Sequence, residues 1–179
     1  IAIAALIADL GMNMVPQGLV NAPRRLTAHE YTEVQRHALY GLHAAQKMAG
    51  LPLIARFAAY QHHERYDGSG YPGRRKQGMI HRAAAIVAVA DAYDAMTSPR
   101  PWRAAMPHYP ALETLIKEAS RGKYDRDAVR ALLHYISLFP IGSLVRLNTG
   151  AVGKVVHATG PTYDRPIVAL MFDRNGTRR

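Results

Sequence analysis

Two adjacent histidines, His62 and His63, stand between an apolar segment and a loop that is rich in glycine. Of the five residues from Gly68 to Pro72, three are glycine or proline. Successive side chains of an α-helix point about 100° apart, so neighbouring histidines can share one metal ion only where the backbone bends or leaves the helix. Glycine permits such a bend. The stretch therefore predicts a helix that ends at the histidines, which are either surface imidazoles or a pair of metal ligands.

Three further polar residues fall at positions where an apolar side chain is expected. His37 lies on the apolar stripe of one predicted helix and Asp91 on the buried face of another, while Asp9 directly follows an apolar run. A buried carboxylate is costly unless it pairs with a cation or binds a metal. A single buried histidine is more often structural. Three histidines and two aspartates at such positions, however, match the ligand chemistry of a divalent metal centre.

The chain contains no cysteine, which excludes disulfides and thiolate metal sites. A transition metal would be held by histidine nitrogen and carboxylate oxygen, a ligand set that suits iron, manganese, zinc or nickel. The lack of cysteine also agrees with a cytoplasmic location. The apolar run over residues 1–8 is too short to span a bilayer and lacks the basic leader of a secretory signal. Because the sequence begins with isoleucine, we expect a fragment whose N-terminal part is missing.

The 179 residues carry a formal net charge of +10, and much of the excess lies in local groups of arginine and lysine. Clustered cations are the electrostatic footprint of phosphate binding, so nucleic acid is one interpretation. A small anionic ligand such as a nucleotide is a second interpretation, and a solvated basic surface is a third. The net charge alone does not distinguish among these three interpretations.

Most of the chain is predicted to be helical, and its C-terminal end to form strands. Thr27 and Glu30 have the spacing of a capping box, and apolar residues then recur at three- and four-residue steps as far as Met48. Further helices are predicted over residues 52–62, 82–96, 109–120 and 126–138. Strands are predicted over residues 143–148, 151–157 and 166–172, the last two separated by a Gly-Pro-Thr-Tyr-Asp loop. The expected organisation is a mainly α domain, residues 1–139, followed by a small β-meander, residues 140–179.

Several motifs follow one another along the chain: Asp9-Leu10-Gly11, His37, His62-His63-Glu64, Gly70-Tyr71-Pro72 and the segment from Ala90 to Thr97. The residues of these motifs and their order resemble those of the HD-GYP family. Its members are bacterial phosphodiesterases of the HD superfamily that hydrolyse the signalling dinucleotide cyclic di-GMP. Agreement extends to residues 99–103 and 122–125 and covers the chain to about Val129. The segment from His62 to Pro72 is the most specific part of the resemblance.

The resemblance implies an HD-superfamily helical bundle that holds two or three metal ions, often iron or manganese, for metal-assisted hydrolysis. By position, Asp9 would be the bridging carboxylate, and His37, His62 and His63 would complete one metal site. Asp91 would bind a neighbouring metal. Asp9 and Asp91 are therefore the expected catalytic carboxylates.

The resemblance also implies residues that bind the substrate. Gly70, Tyr71 and Pro72 would belong to the loop beside the substrate cleft, and this loop can also contact protein partners. Arg100 and Arg103 would contact a phosphate or a guanine, with surface or salt-bridged arginines as an equal alternative.

The sequence departs from the family at positions that matter for catalysis. Ala8 replaces the histidine of the family's His-Asp pair, and Met12 replaces a lysine that would contact a phosphate. Ala85 stands where an arginine is expected, and Gln77 where a loop glycine is usual. Ala8 removes a ligand from the metal that Asp91 would bind, whereas the ligands of the other site are kept. Two-metal catalysis stabilises both the attacking and the leaving oxygen, so the loss of one metal should impair it.

We therefore expect a degenerate HD-GYP signalling domain that binds one metal ion, iron or manganese. It would bind cyclic di-GMP or a related dinucleotide in the bacterial cytoplasm, with impaired or lost phosphodiesterase activity and a regulatory role. An active metal-dependent cyclic di-GMP phosphodiesterase is the alternative, so whether the chain is an enzyme stays open at this point. A nucleic-acid-binding helical protein would fit the charge but would leave the buried histidines and aspartates unexplained.

Overall fold

A computed structural model of the chain describes residues 1–158 and 164–178. The chain divides into two compact units, Ile1–Val129 and Arg130–Arg179. The helices are α1 (Ala2–Leu6), α2 (Gln17–Val20), α3 (Ala28–Gln35), α4 (His37–Lys47), α5 (Leu53–Gln61), α6 (Arg82–Thr97), α7 (His108–Ser120) and α8 (Arg126–Ile136). The strands are β1 (Leu144–Arg146), β2 (Val152–His157) and β3 (Ile167–Phe172). The predicted mainly helical fold with a small C-terminal sheet is thus confirmed.

Helix α3 begins at the predicted capping box. The Thr27 hydroxyl accepts a hydrogen bond from the backbone N–H of Glu30 at 3.3 Å, and the Glu30 carboxylate accepts one from the N–H of Thr27 at 2.8 Å. The two bonds satisfy N–H groups that the helix leaves without an internal partner. Arg24 adds an ion pair to Glu30 at 2.7 Å.

The segment expected to form one helix from Thr27 to Met48 is divided at Arg36. This residue keeps nearly helical dihedral angles, φ −64° and ψ −15°, but α3 ends before it and α4 begins after it. The carbonyl oxygen of Val34 lies 2.7 Å from ring Nδ1 of His37, which competes with backbone donors at the end of α3. His37 therefore starts α4 instead of lying in the middle of a longer helix.

The core of the first unit is built around α5 from small side chains. Ala55, Ala58 and Ala59 are fully buried and pack in one cluster with residues of α1 and with Val87 of α6. Because alanine occupies little volume, neighbouring helices can approach α5 closely while the interior stays dense. The C-terminal end of α5, where His62 follows, is thereby surrounded by several other segments.

The 3₁₀ turn Leu10–Met14 lies directly against α4. A Cβ atom at Gly11 would overlap the carbonyl group of His37 and the backbone nitrogen of Gly41. Only glycine allows two backbones to come this close. The contact brings Asp9, two residues earlier, beside the start of α4.

The second unit contains an antiparallel meander in which β2 pairs with both β1 and β3. Val145 lies opposite Gly153, and Lys154 lies opposite Ala169. Of the loop predicted at residues 160–164, residues 160–163 lie outside those the structure describes. Across residues 1–158 and 164–178, no helix has the length and apolar character needed to cross a membrane.

Candidate metal centre

Four side chains from three separate segments converge at the C-terminal end of α5. Asp9 follows α1, His37 begins α4, and His62 and His63 directly follow α5. One potential ligand atom from each lies within 4.8 Å of the others. The helix ends at Gln61, so the backbone turns at the two histidines and both imidazoles can face one point.

Three of the four side chains each place one atom close to the other two. Asp9 Oδ1 lies 3.4 Å from Nε2 of His62 and 3.5 Å from Nε2 of His37. The two Nε2 atoms are 3.4 Å apart. The side chain of His62 is fully buried and that of His37 is 2% exposed, whereas the Asp9 side chain is 59% exposed. An ion can therefore approach this group of atoms from the Asp9 side.

The opposite ring nitrogen of each of these two histidines is held by the backbone. Nδ1 of His37 lies 2.7 Å from the carbonyl oxygen of Val34, and Nδ1 of His62 lies 2.9 Å from that of Ala58. A carbonyl only accepts hydrogen bonds, so each Nδ1 carries the proton and each neutral ring turns a lone pair on Nε2 toward Asp9. Such outer hydrogen bonds orient metal-binding histidines in proteins.

The convergence of acceptors indicates a cation. Two Nε2 lone pairs and a carboxylate oxygen meet with no donor between them unless one imidazole takes a second proton. When His62 carries that second proton, its hydrogen bond to the carboxylate lowers the pKa of Asp9, so a positive charge at this point favours ionised Asp9. Burial lowers the pKa of His37, and it lowers the pKa of His63 well below the usual histidine value. Neutral imidazoles and an ionised carboxylate are the forms that bind metal ions.

Asp91, the other carboxylate predicted to bind metal, lies at the edge of this group. Its Oδ2 is 3.8 Å from Nδ1 of His63, and its side chain is 23% exposed. Burial raises the pKa of Asp91. The four-residue group that we describe as the metal centre consists of Asp9, His37, His62 and His63, and Asp91 stands next to it through His63.

Ala8, where the resemblance predicts a histidine, directly precedes the ligand Asp9 and is buried in the apolar core. It is 5% exposed and belongs to the alanine-rich cluster around α5. Ala85, where an arginine was expected, is 4% exposed. Neither residue offers a ligand or a charge.

Two buried polar side chains at the end of α5 fix the loop that follows. Glu64, 2% exposed, accepts hydrogen bonds from the backbone N–H groups of Gly73 at 2.7 Å and Arg75 at 2.8 Å. Gln61 accepts one from the N–H of His81 at 2.8 Å. The sequence analysis assigned neither residue a role, although the position of both beside two histidines at the end of an apolar helix was a signal.

The predicted loop residues Gly70, Tyr71 and Pro72 pack against the metal centre. A Cβ atom at Gly70 would overlap backbone atoms of His63 and Arg65. The Tyr71 ring stacks on the His63 imidazole, with centroids 4.6 Å apart and an interplanar angle of 25°. The peptide bond between Tyr71 and Pro72 is cis. The loop thus covers His63 and supplies one wall of a cleft.

The cleft has a volume of about 360 Å³, within the range of small-ligand pockets. It begins at the metal centre, where it is lined by His63 and Asp91, and extends between α6 and α7. Its other polar lining residues include Arg65, Glu118 and Lys123. A molecule bound at the metal centre can therefore extend into a space with charged walls.

The two predicted substrate arginines do not line this cleft, and each is engaged with a nearby group. Arg103 donates to the carbonyl oxygen of Ala95, and Arg100 lies 4.0 Å from a carboxylate oxygen of Asp94. The charge of Arg100 contributes to lowering the pKa of Asp9, after the larger effect of the His62 hydrogen bond. Arg100 thus acts electrostatically on the metal centre, while the side chain of Arg103 secures the end of α6.

The fold and this ligand set define a helical domain with a group of side chains that could hold a metal ion. The sequence matches the HD domain family over residues 1–128, and the chain belongs to that family. Within it, the chain is a member of the HD-GYP group, as the relatives and the structural neighbour described below also indicate.

Several curated bacterial proteins are similar to this chain. It is 33% identical over 171 residues to the cyclic di-GMP phosphodiesterase PA4108 of Pseudomonas aeruginosa, covering 95% of this chain and 41% of that protein. It is 37% identical over 135 residues to the cyclic di-GMP phosphodiesterase response regulator RpfG of Xanthomonas campestris, covering 74% and 35%. A 3'3'-cGAMP-specific phosphodiesterase of Vibrio cholerae is 32% identical over 123 residues, covering 69% and 28%. The chain thus spans less than half the length of these relatives.

A solved structure supports the fold. Bd1817, a HDG"Y"P protein from Bdellovibrio bacteriovorus, aligns with a TM-score of 0.58 at 20% sequence identity. The alignment covers 72% of this chain and 40% of that one. At this identity the likeness concerns the fold.

Proposed function

We propose that this chain is a metal-binding cyclic di-GMP signalling domain of the bacterial cytoplasm whose phosphodiesterase activity is impaired or lost. The observation that carries the proposal is the contrast between two neighbouring residues. Asp9 belongs to an intact group of four ligands, whereas Ala8 replaces the family histidine and is buried among alanines. This contrast supports one well-built metal site and a weakened second one.

The residues of the centre have separable tasks. Asp9, His37, His62 and His63 would hold a divalent ion, for which iron and manganese are the first candidates. A bound ion supplies Lewis acidity toward a phosphoryl oxygen and lowers the pKa of a water molecule. Asp91, whose Oδ2 lies 3.8 Å from Nδ1 of His63, is the carboxylate that could serve a second ion.

An active phosphodiesterase is the second candidate. It is favoured by the position of Asp91, 3.8 Å from His63, and by relatives that carry the name cyclic di-GMP phosphodiesterase. In that case water, or a ligand from outside residues 1–158 and 164–178, would replace the histidine missing at Ala8.

Metal content and turnover together separate the two candidates. Protein purified without chelator should contain about one equivalent of metal and hydrolyse cyclic di-GMP poorly with added manganese or iron. Two equivalents with robust turnover would establish the active enzyme. Protein that takes up no metal would refute both. A regulatory role predicts that partner proteins bind through the loop of Gly70, Tyr71 and Pro72, which can be tested by pull-down with a variant of Tyr71.

A further inference from the structure

The cleft beside the metal centre contains an ion pair between Glu118 and Lys123. Lys123 Nζ contacts Glu118 Oε2, with side chains 35% and 22% exposed. Both residues line the cleft that begins at His63 and Asp91. The cleft therefore presents one strong acceptor group next to one strong donor group.

The backbone holds this pair in a fixed place. The N–H of Lys123 donates to the carbonyl oxygen of Glu118 at 3.0 Å, which closes the turn after α7. The carbonyl of Lys123 accepts from the N–H of Tyr66 at 2.9 Å, and the Tyr66 hydroxyl donates to Asp125 at 2.6 Å. The pair is thus tied both to α7 and to the segment that follows the metal-binding histidines. A fixed pair costs little ordering entropy when a ligand binds.

Other polar groups of the cleft are committed elsewhere. The Arg65 guanidinium donates to the carbonyl oxygens of His62 and Glu64 at 3.0 and 2.9 Å and lies 4.8 Å from the centre of the Tyr124 ring. The Thr114 hydroxyl donates to the carbonyl of Pro110 at 2.8 Å. The carboxylate of Glu118 has a second oxygen, and the ammonium of Lys123 has further hydrogens, so this pair retains hydrogen-bonding capacity.

We propose, on the basis of the function proposed above, that Glu118 and Lys123 read the base of a cyclic dinucleotide and select guanine over adenine. Guanine carries two adjacent donors, N1–H and N2–H, that match a carboxylate, and an acceptor, O6, that matches an ammonium. Adenine offers the unprotonated N1 where guanine has a donor, and its lone pair faces the carboxylate unfavourably. Tyr31, Tyr71 and Tyr124 line the same cleft and provide aromatic surface for the base.

The decisive variant is Glu118→Gln, because a glutamine amide can donate to an adenine ring nitrogen and accept from adenine N6. Binding of cyclic di-GMP and of cyclic di-AMP is measured by calorimetry on the full 179-residue chain loaded with manganese. In the unaltered protein cyclic di-GMP should bind more tightly. In Glu118→Gln the preference should shift toward cyclic di-AMP by about 5- to 150-fold, the range for one bidentate base contact.

Glu113→Gln is the matched control, because Glu113 lies on the same helix in an exposed ion pair with Lys117 and does not line the cleft. It should leave both affinities unchanged. Lys123→Gln is a second variant, which should weaken cyclic di-GMP and spare cyclic di-AMP.

Metal content measured on the same samples separates this inference from the proposed function. Unchanged base preference in Glu118→Gln, with metal and cyclic di-GMP still bound, would overturn the inference and leave the function standing. Failure of the metal-loaded, unaltered protein to bind either dinucleotide would overturn both.

Discussion

His37 and His62 face each other through Nε2 atoms 3.4 Å apart, while each Nδ1 is bonded to a backbone carbonyl. The two rings cannot both be neutral and form a hydrogen bond with each other, because each neutral ring would offer only a lone pair on that side. A proton or a metal ion must therefore lie between them. A metal ion that binds at this pair would therefore compete with protons.

Removing one member of this pair should abolish metal binding. We expect His62→Ala to reduce metal content from about one equivalent to nearly none, because loss of a direct ligand exceeds the roughly 10–100-fold cost of an outer-sphere change. His43→Ala is the control, since His43 is an exposed histidine of α4. Elemental analysis after gel filtration measures the difference. Equal metal content in the two variants would place the metal elsewhere.

Gly11→Ala should destabilise the first unit and displace Asp9. Its Cβ would overlap backbone atoms of α4, and overpacking of this kind typically costs about 1–3 kcal/mol. Gly18→Ala, in α2 with open space around the new Cβ, should be neutral or stabilising by about 0.5–1 kcal/mol. Urea unfolding measures both. A Gly11 variant as stable as the Gly18 variant would show that the close contact with α4 is not formed.

Glu64→Gln should loosen the loop that covers His63. The amide retains one acceptor oxygen for the two N–H groups of Gly73 and Arg75, so one bond is lost at a cost of about 1–3 kcal/mol. Hydrogen exchange of these two amides should accelerate, while exchange in α7 should not change. Glu113→Gln, at an exposed ion pair, serves as the control. Unaltered protection of both amides would exclude a clamping role for Glu64.

The capping box should contribute to stability only above strongly acidic pH. Hydrogen bonds from Arg24, followed by the backbone bond from Thr27, lower the pKa of Glu30 from 4.5 to about 2. A carboxyl group with a lowered folded-state pKa stabilises the protein above its unfolded pKa, and this contribution is lost as the pH falls from 4.5 toward 2. Thermal unfolding of Glu30→Gln should therefore differ from the unaltered protein at pH 6 and converge with it near pH 2. A constant difference across this range would contradict the assignment.

Restoring the two missing family residues should raise turnover. We expect the double variant Ala8→His and Met12→Lys to hydrolyse cyclic di-GMP faster with added manganese, because it regains a potential ligand and a positive charge. Met12→Lys alone, which adds charge without a ligand, should give a smaller gain. Product formation measured by chromatography compares them. If neither variant exceeds the original chain, these two losses do not limit its activity.

The sequence predicted those features that depend on neighbours in the chain. The capping box of Thr27 and Glu30 is local, and so is the end of α5 at His62, where glycine-rich sequence follows the apolar run. The inward-facing positions of Asp9 and His37 already indicated metal ligands, but the family resemblance was needed to place both in one site with the histidines after α5. Residue spacing cannot show which helices approach each other.

Features set by tertiary contacts were missed. The division at Arg36 accompanies a ring nitrogen of His37 bonded to the carbonyl of Val34, which periodicity does not reveal. Gly11 appeared only as part of a motif, whereas its role follows from the closeness of α4. The pairing of Glu118 with Lys123 depends on the turn after α7, and no pattern in the sequence indicated that the pair lines the cleft.

The ligands of the metal centre come from parts of the chain that are far apart in sequence, before α2, at the start of α4 and after α5. An ion that binds only when these parts are together shifts the folding equilibrium toward the native state. The resulting increase in the free energy of unfolding grows with the free ion concentration. Metal supply would then set how rarely the domain opens and how long it survives cellular proteases. Starvation for iron or manganese would then lower the abundance of the protein, even if the domain has no catalytic activity.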